Sequence, residues 1–335
     1  MGIGDEIRIM ATATTFSWSG VLYRGDIRSI SDRWTPYGVH FLEISATDLM
    51  ARLGRIDLLE RPPVGAGERS GARIHRIADI ARIPNNRRRI DTGLMTLQGT
   101  NFARNLAGEA EVTATSEGGD LFCDRSGNLT FLQRNWWRTK EAASEEQAIW
   151  ANIDAPPNPL SVPVACPVDI HTLESSDVLA NVVELARAGG SVQTARDTAS
   201  MSQHGVQTYS RSDLLNTSDA DVASLAGWRV AELGGRTSLI EGIDINPMAD
   251  PEVIFPILLT GSDLGFQHRL VWDDGDEVTD RRVWIQKVSH EIGPLQWKSK
   301  LGVWDRYVFS PADGWDVDLW DEALWSAPIG LEVAS

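Results

Sequence analysis

Five carboxylates, Asp273, Asp274, Asp276, Glu277 and Asp280, crowd into the stretch HRLVWDDGDEVTDRRVWIQKVSHEI, residues 268–292, which has His268 and His290 near its ends. Carboxylates and imidazoles close together are the donor set of a divalent metal or of general acid–base chemistry. The spacing argues for neither. A calcium loop sets its oxygen ligands as D-x-[DN]-x-[DN]-G with a later bidentate Glu, but here Gly275 comes too early and no Glu follows at the required distance. His290 has no H-x-x-H or H-E-x-x-H partner. Asp274-Gly275 is a turn signal between two strand-like runs, HRLVW and RRVWIQKV, and a turn tip collects solvated carboxylates. The cluster reads as a turn.

His204, in SMSQHGVQTYS, has Ser202 beside it and Asp197 upstream, the residue types of a nucleophilic triad. No G-x-S-x-G elbow accompanies them, and a His before Gly reads as a polar residue at a bend. There is no P-loop, dinucleotide fingerprint or C-x-x-C. The chain is therefore expected to have no catalytic residues, no metal site and no cofactor, and not to be an enzyme. The run NNRRRIDTG is the most basic part of the chain and reads as a solvated turn or a contact with an acidic neighbour rather than a phosphate site. Near the C-terminus, DGWDVDLWDEALW sets Trp315, Trp320 and Trp325 among five carboxylates. Large aromatic rings are enriched at interfaces, so the segment reads either as an adhesive patch or as rings packed on their own domain.

These residues must be positioned by a chain of 335 residues, long enough for two or three domains with cores of their own. At 42% hydrophobic and 23% charged the composition is that of a folded soluble protein, with 13 Trp against 8 Phe and 4 Tyr. A formal net charge of −16 disfavours general attraction to DNA or anionic membranes, yet suits a surface along which DNA slides without sticking. Cys123 and Cys166 read as reduced, buried thiols of a protein folded in a cytosol. No run approaches the roughly 18 apolar residues of a membrane span. The start, MGIGDEIRIM, has no basic or apolar leader region and passes almost at once into a strand-like run, as if an earlier element were absent.

Along the chain, EIRIMATA, TFSWSGVLYRGDI with a break near Gly20, and YGVHFLEISA read as strands, the last with covering on both faces. TDLMARLGRI turns helical, capped by Thr47 or Asp48 and ended by Gly54. ERPPVGAGERS reads as a linker, RIHRIADIARI as a helix stopped by Pro84, NFARNLAGEAEVTA as a helix, and GGDLFCDRSGNLTFLQR as a hairpin with Gly127 at positive φ. The proline-rich NIDAPPNPLSVPVACP separates this region from a β-rich one. There SDADVASLAGWRVAELGG predicts a helix with Ser218 and Asp221 as a capping box, Val222, Leu225, Ala226, Val230 and Leu233 on one face, and Gly234 as its stop. SLIEGIDIN, VIFPILL, HRLVWD, RRVWIQKVSHEI and SKLGVWDRYVFS read as strands.

Several of these stretches, in this order, resemble the baseplate-hub or tail-associated proteins of long-tailed bacteriophages, the minor tail proteins of actinobacterial phages. GDEIRI…FSWSGVL…FLEISATDLMARL is similar to the family's strand, F-S-G strand, and strand ending in a D-x-x-x-x-L helix, with Asp48 as the matching aspartate. LFCDRSGNLTFLQR resembles its hairpin. ARDTASMSQHGVQTYS resembles its D-x-x-S-x-x-x-y-G segment through Asp197, Ser200 and Gly205, with His204 where an aromatic is commoner. KVSHEIGPLQWKSKLGV resembles its closing strand pair through His290, Ile292, Pro294 and Trp297. Together these cover most of residues 4–305.

The resemblance implies a mainly β (α+β) chain with two tail-tube-like β-barrels flanking a small α/β insertion. Residues 1–58 would be a partial first barrel and helix, 59–165 the insertion, 166–310 the second barrel and 311–335 an acidic Trp-rich arm. It implies a structural protein of the virion tail tip, assembled in the host cytoplasm as a homotrimeric ring. Its partners would be distal tail protein, tape-measure protein and other minor tail proteins, with DNA passing through unbound. Family members carry a longer stretch before the first matched strand, so another subunit is expected to complete the first barrel. Asp48, Asp197, Ser200, Gly205, His290, Pro294 and Trp297 would then be structural, and Trp315, Trp320 and Trp325 the assembly residues. The alternative is a carbohydrate-binding tail module whose tryptophans stack on host wall glycans.

Overall fold

The computed structural model describes residues 2–13, 18–34, 40–57, 63–154, 156–174, 179–234, 238–276, 278–293 and 296–305. Strand outweighs helix in them, as a mainly β chain requires, and they group into two units.

Unit one holds residues 1–12, 19–133 and 215–217. Its first sheet has the order β1 (Glu6–Ala13), β2 (Trp18–Trp34), β3 (His40–Thr47). β2 runs straight through Gly20, where a break was expected, so its pairing in the sheet outweighs the modest penalty of a glycine in a strand. β3 runs into α1 (Leu49–Gly54), where Asp48 rather than Thr47 caps, accepting the Ala51 amide at 3.1 Å. The Pro/Gly-rich stretch is more than a linker. Val64 bridges Thr100, and β4 (Glu68–Arg69) leads into α2 (Ser70–Ile80).

After β5 (Arg88–Ile90) comes β6 (Thr96–Leu97), which pairs with β4. α3 (Leu106–Glu117) then precedes the expected hairpin of β7 (Asp120–Cys123) and β8 (Leu129–Leu132), whose turn has Gly127 at φ +75°. Leu53, Ile77, Leu106, Leu129 and Phe131 bring α1, α2, α3 and β8 into one core. Polar bonds lock its rim. Buried Arg73 pairs with Glu68 and donates to the Gly65 and Gln98 carbonyls, each at 2.9 Å. Glu117 accepts the Ser70 hydroxyl at 2.6 Å and the Met95 amide at 2.8 Å. Of the three arginines read as a solvated turn or a contact with an acidic neighbour, only Arg89 is exposed, and the other two take the second form. Arg87 is buried, donating to the Gly127 carbonyl at 2.8 Å, and Arg88 pairs with Asp79 at 2.7 Å. Distant acceptors that only the fold supplies make the difference.

Unit two holds residues 13–18, 134–214 and 218–335. Short helices α4 (Trp136–Thr139) and α5 (Glu141–Ser144) precede β9 (Glu146–Ala151), β10 (Val164–Ala165) and β11 (Asp169–Glu174). Next come β12 (Val182–Arg187), β13 (Gln193–Arg196), α6 (Thr198–His204), β14 (Thr208–Leu214) and α7 (Asp219–Leu233). α7 has the expected Ser218 cap, which accepts the Asp221 amide at 3.1 Å, and Val222, Leu225, Ala226 and Val230 enter a core with Val183 and Leu185 of β12.

β15 (Ser238–Ile245) is followed by α8 (Pro251–Thr260), which replaces the strand expected at VIFPILL. A short run apolar on all sides cannot be told from a buried helix by periodicity. The deciding signals are Asp250, which caps the Val253 amide, and Pro251 in the first turn. β16 (Gln267–Asp273), β17 (Val278–Gly293) and β18 (Gln296–Asp305) close the series.

One seven-stranded sheet has the order β10-β9-β16-β17-β18-β15-β11. β9 pairs with β16 in parallel across more than a hundred residues, so the proline-rich stretch does not part the two sides of this sheet. Trp136, Trp150, Trp284, Trp297 and Trp304 are all buried. Among the described residues no strand order closes into a barrel, and no helix is long and apolar enough to cross a membrane. Cys123 is half-buried, its thiol pushed up to about 12 by burial, whereas Cys166 is exposed rather than buried; both are free.

Candidate assembly surface

The acidic stretch is the tip of the β16–β17 hairpin, with Gly275 at φ +97°. Its carboxylates serve the turn itself. Asp273 accepts the Gly275 amide at 2.8 Å and Asp274 the Asp276 amide at 2.9 Å. Asp280 takes both arms of Arg269 at 2.7 and 2.5 Å, and these bonds hold its carboxyl below the ordinary aspartate range. Glu277 lies outside the described residues. Among those residues no three His, Cys, Asp or Glu side chains are placed to hold a metal.

His204 ends α6 on the exposed surface. Asp197 caps that helix through the Ser200 amide at 3.0 Å, and the Ser202 hydroxyl donates to the Ala199 carbonyl at 2.7 Å. Carboxylate and hydroxyl are thus both engaged with local backbone. Asp197, Ser200 and Gly205 gather around a residue the sequence did not single out, Asn181. Its amide nitrogen donates to Ser200 Oγ at 3.3 Å and to the Gly205 carbonyl at 2.7 Å, and its oxygen accepts the Gln207 amide at 2.8 Å. His290 and Trp297 meet across β17 and β18. The Trp297 indole donates to His290 Nδ1 at 3.3 Å, the same nitrogen lies 2.8 Å from Ser299 Oγ, and Phe255 of α8 packs on Trp297 at 5.1 Å. Pro294, Trp315, Trp320 and Trp325 lie outside the described residues.

His268, a strand residue in the sequence reading, is fully buried. Its Nδ1 accepts the Trp150 indole N–H and its Nε2 donates to the Gly261 carbonyl, each at 2.8 Å. An indole nitrogen can only donate and a carbonyl can only accept, so the ring is the neutral Nε2–H tautomer. Burial pushes it down to about 4. Nothing in HRLVW signals this, because the partners come from β9 and the end of α8.

The surface that stands out is the β1–β2–β3 sheet. At about 3.3 Å per residue its 17-residue β2 spans roughly 56 Å, beyond the usual strand length. Each half has a different neighbour. The Ile27 amide donates to the Asp5 carbonyl at 2.9 Å, setting β1 along the first half, while β3 pairs with residues 26–34. Among the described residues each half of β2 therefore has a strand on one side only.

Ile9, Met10, Trp18 and Leu42 on this sheet are 47%, 58%, 37% and 53% exposed. Covering on both faces of β3 was expected. Leu42 and Glu43 are instead exposed, because no layer of the described residues lies over them. Arg24 ties the sheet to the rest of unit one, donating to Glu6 at 2.6 Å and to the Ser126 carbonyl at 3.3 Å. Its hydrogen bond also lowers the Glu6 carboxyl. Open edges with exposed apolar side chains are what a strand-pairing interface offers.

No protein-family model matches the sequence, and no curated protein does. Solved structures do. The chain is similar to the tail protein from Neisseria meningitidis MC58 over 90% of this chain and 86% of that one, at 13% identity and a TM-score of 0.61. It is also similar to the 43 kDa tail protein of prophage MuSo2 from Shewanella oneidensis, over 89% and 87% of the two chains at 11% identity and a TM-score of 0.52. The chain thus has the fold of these tail proteins.

Proposed function

We propose that this chain is a structural, non-catalytic component of a bacteriophage tail, a baseplate-hub or minor tail protein of the tail tip. What carries the reading is a likeness to two tail proteins that extends over about nine-tenths of the chain rather than one module of it. Copies of the chain form a ring, in the family-like case a trimer. Their open sheets complete one another as two tube-like barrels, and pairing the half-open edges of β2 also covers Ile9, Met10 and Leu42. Distal tail protein, tape-measure protein and other tail proteins adjoin the ring, and the Trp315, Trp320 and Trp325 arm contributes to these contacts. The negative charge keeps DNA from adhering as it passes.

Negative-stain electron microscopy of the purified chain, with its mass in solution, tests the reading. Annular particles of threefold symmetry without added metal or sugar are expected. A stable monomer at high concentration, indifferent to other tail proteins, overturns the ring.

A further inference from the structure

A pocket of about 340 Å³ lies in unit one beside the end of α1. Ile3, Asp26, Ile27, Thr47, Arg52 and Arg55 line it. Arg52 and Arg55 are three residues apart, so they project from the same side of the chain. Neither guanidinium has a hydrogen-bond or ion-pair partner among the described residues. Arg24, Arg73, Arg76, Arg87, Arg88 and Arg104 of the same unit each meet a carboxylate, and arginines that do not, such as Arg28, Arg82 and Arg89, stand singly on the exposed surface rather than together in a hollow. The one carboxylate of the pocket, Asp26, lies 4.0 Å from the Arg87 guanidinium and is offset from there.

The dipole of α1 favours a cation in its last turn. It does not call for two that line one hollow. Ile27 is buried there, and Ile3 is 77% exposed. Two guanidinium groups side by side suit a carboxylate, whose two oxygens they grip in parallel.

We propose that this pocket anchors an acidic side chain carried by a segment of a partner protein. The fit is one of complementary charge: two cations without a carboxylate partner that line the same hollow. It does not depend on the tail reading.

The test is titration of the full chain, at low salt, with an N-acetylated, C-amidated peptide of alternating glutamate and leucine. Binding is expected, and the Arg52→Gln, Arg55→Gln double variant weakens it about tenfold or more. Arg89→Gln, on the exposed face of β5, leaves it unchanged, and a peptide with glutamine for glutamate does not bind. Matching circular dichroism and melting of the variants exclude unfolding as the cause. Absence of peptide binding, or equal binding by the double variant, overturns the proposal. So does inorganic phosphate that binds through the two arginines where the peptide does not, which makes the pocket a site for a free oxyanion.

Discussion

Unit one contains sixteen arginines, sixteen carboxylates and no lysine; unit two contains the other fifteen basic residues against thirty-one carboxylates, the whole net charge of −16. Eleven of the thirteen tryptophans, from Trp136 onward, belong to unit two, and the first sheet of unit one carries only Trp18 and Trp34, at the two ends of β2. Unit one secures its core rim with arginine–carboxylate pairs such as Arg73–Glu68 and leaves its long sheet uncovered. Unit two packs indoles into its seven-stranded sheet, where Trp150 and Trp284 donate to buried acceptors, His268 Nδ1 and the Ala143 carbonyl, each at 2.8 Å. A neutral unit with open strand edges can meet its own copies without electrostatic cost, whereas a unit of −16 repels them and repels DNA alike. Association is therefore expected through unit one.

The uneven distribution of tryptophan lets the two units be followed separately, by indole fluorescence for unit two and by far-ultraviolet circular dichroism for both. Phe131→Ala, at a fully buried position of unit one, is expected to cost about 3–5 kcal/mol by the cavity it leaves. In urea the circular dichroism transition should move well ahead of the fluorescence transition. If the two move together, the units unfold as one and the contrast is not one of stability.

Acid should act on unit two through His268. Its folded pKa is about 4 and its unfolded value about 6.5, so between these the unfolded chain binds a proton that the folded one refuses. The stabilisation is complete above pH 6.5 and is lost as pH falls through 4, by about 3 kcal/mol. In His268→Phe, urea midpoints read by fluorescence should lose that part of their pH dependence. An unaltered pH profile would mean that the imidazole is not the titrating group.

Ser218→Ala, which removes the cap of α7, should lower the stability of unit two by about 1 kcal/mol without touching association. Last, Ile9→Ser with Leu42→Ser should change the stability of the single chain by no more than about 0.5 kcal/mol, since both side chains are exposed. The same pair should abolish self-association in sedimentation. Rings that persist in this variant would move the interface away from the first sheet.

Local signals read true wherever the chain satisfied them locally. Ser218 with Asp221, Asp48 before Leu49, Gly127 in its hairpin and Asp274-Gly275 at a turn each specify bonds within a few residues, and all of them form. The acidic cluster was legible for the same reason, as its carboxylates bond amides two residues away. VIFPILL failed because its apolar residues suit a buried strand and a buried helix equally, and the information lay outside it, in Asp250 and Pro251. The uncovered sheet was not legible at all, since an alternating strand carries no mark of whether a layer will lie over it.

Composition and pattern thus determine by themselves that the chain folds, where its turns and caps fall, and that it is acidic. They do not reveal that the acidity belongs to one unit, that β9 joins β16, that Asn181 gathers Ser200 and Gly205, or that His268 is held neutral between Trp150 and Gly261. Those features join residues tens to more than a hundred positions apart. Such pairings are settled by which surfaces can be buried together, and that is a property of the packed chain rather than of any segment.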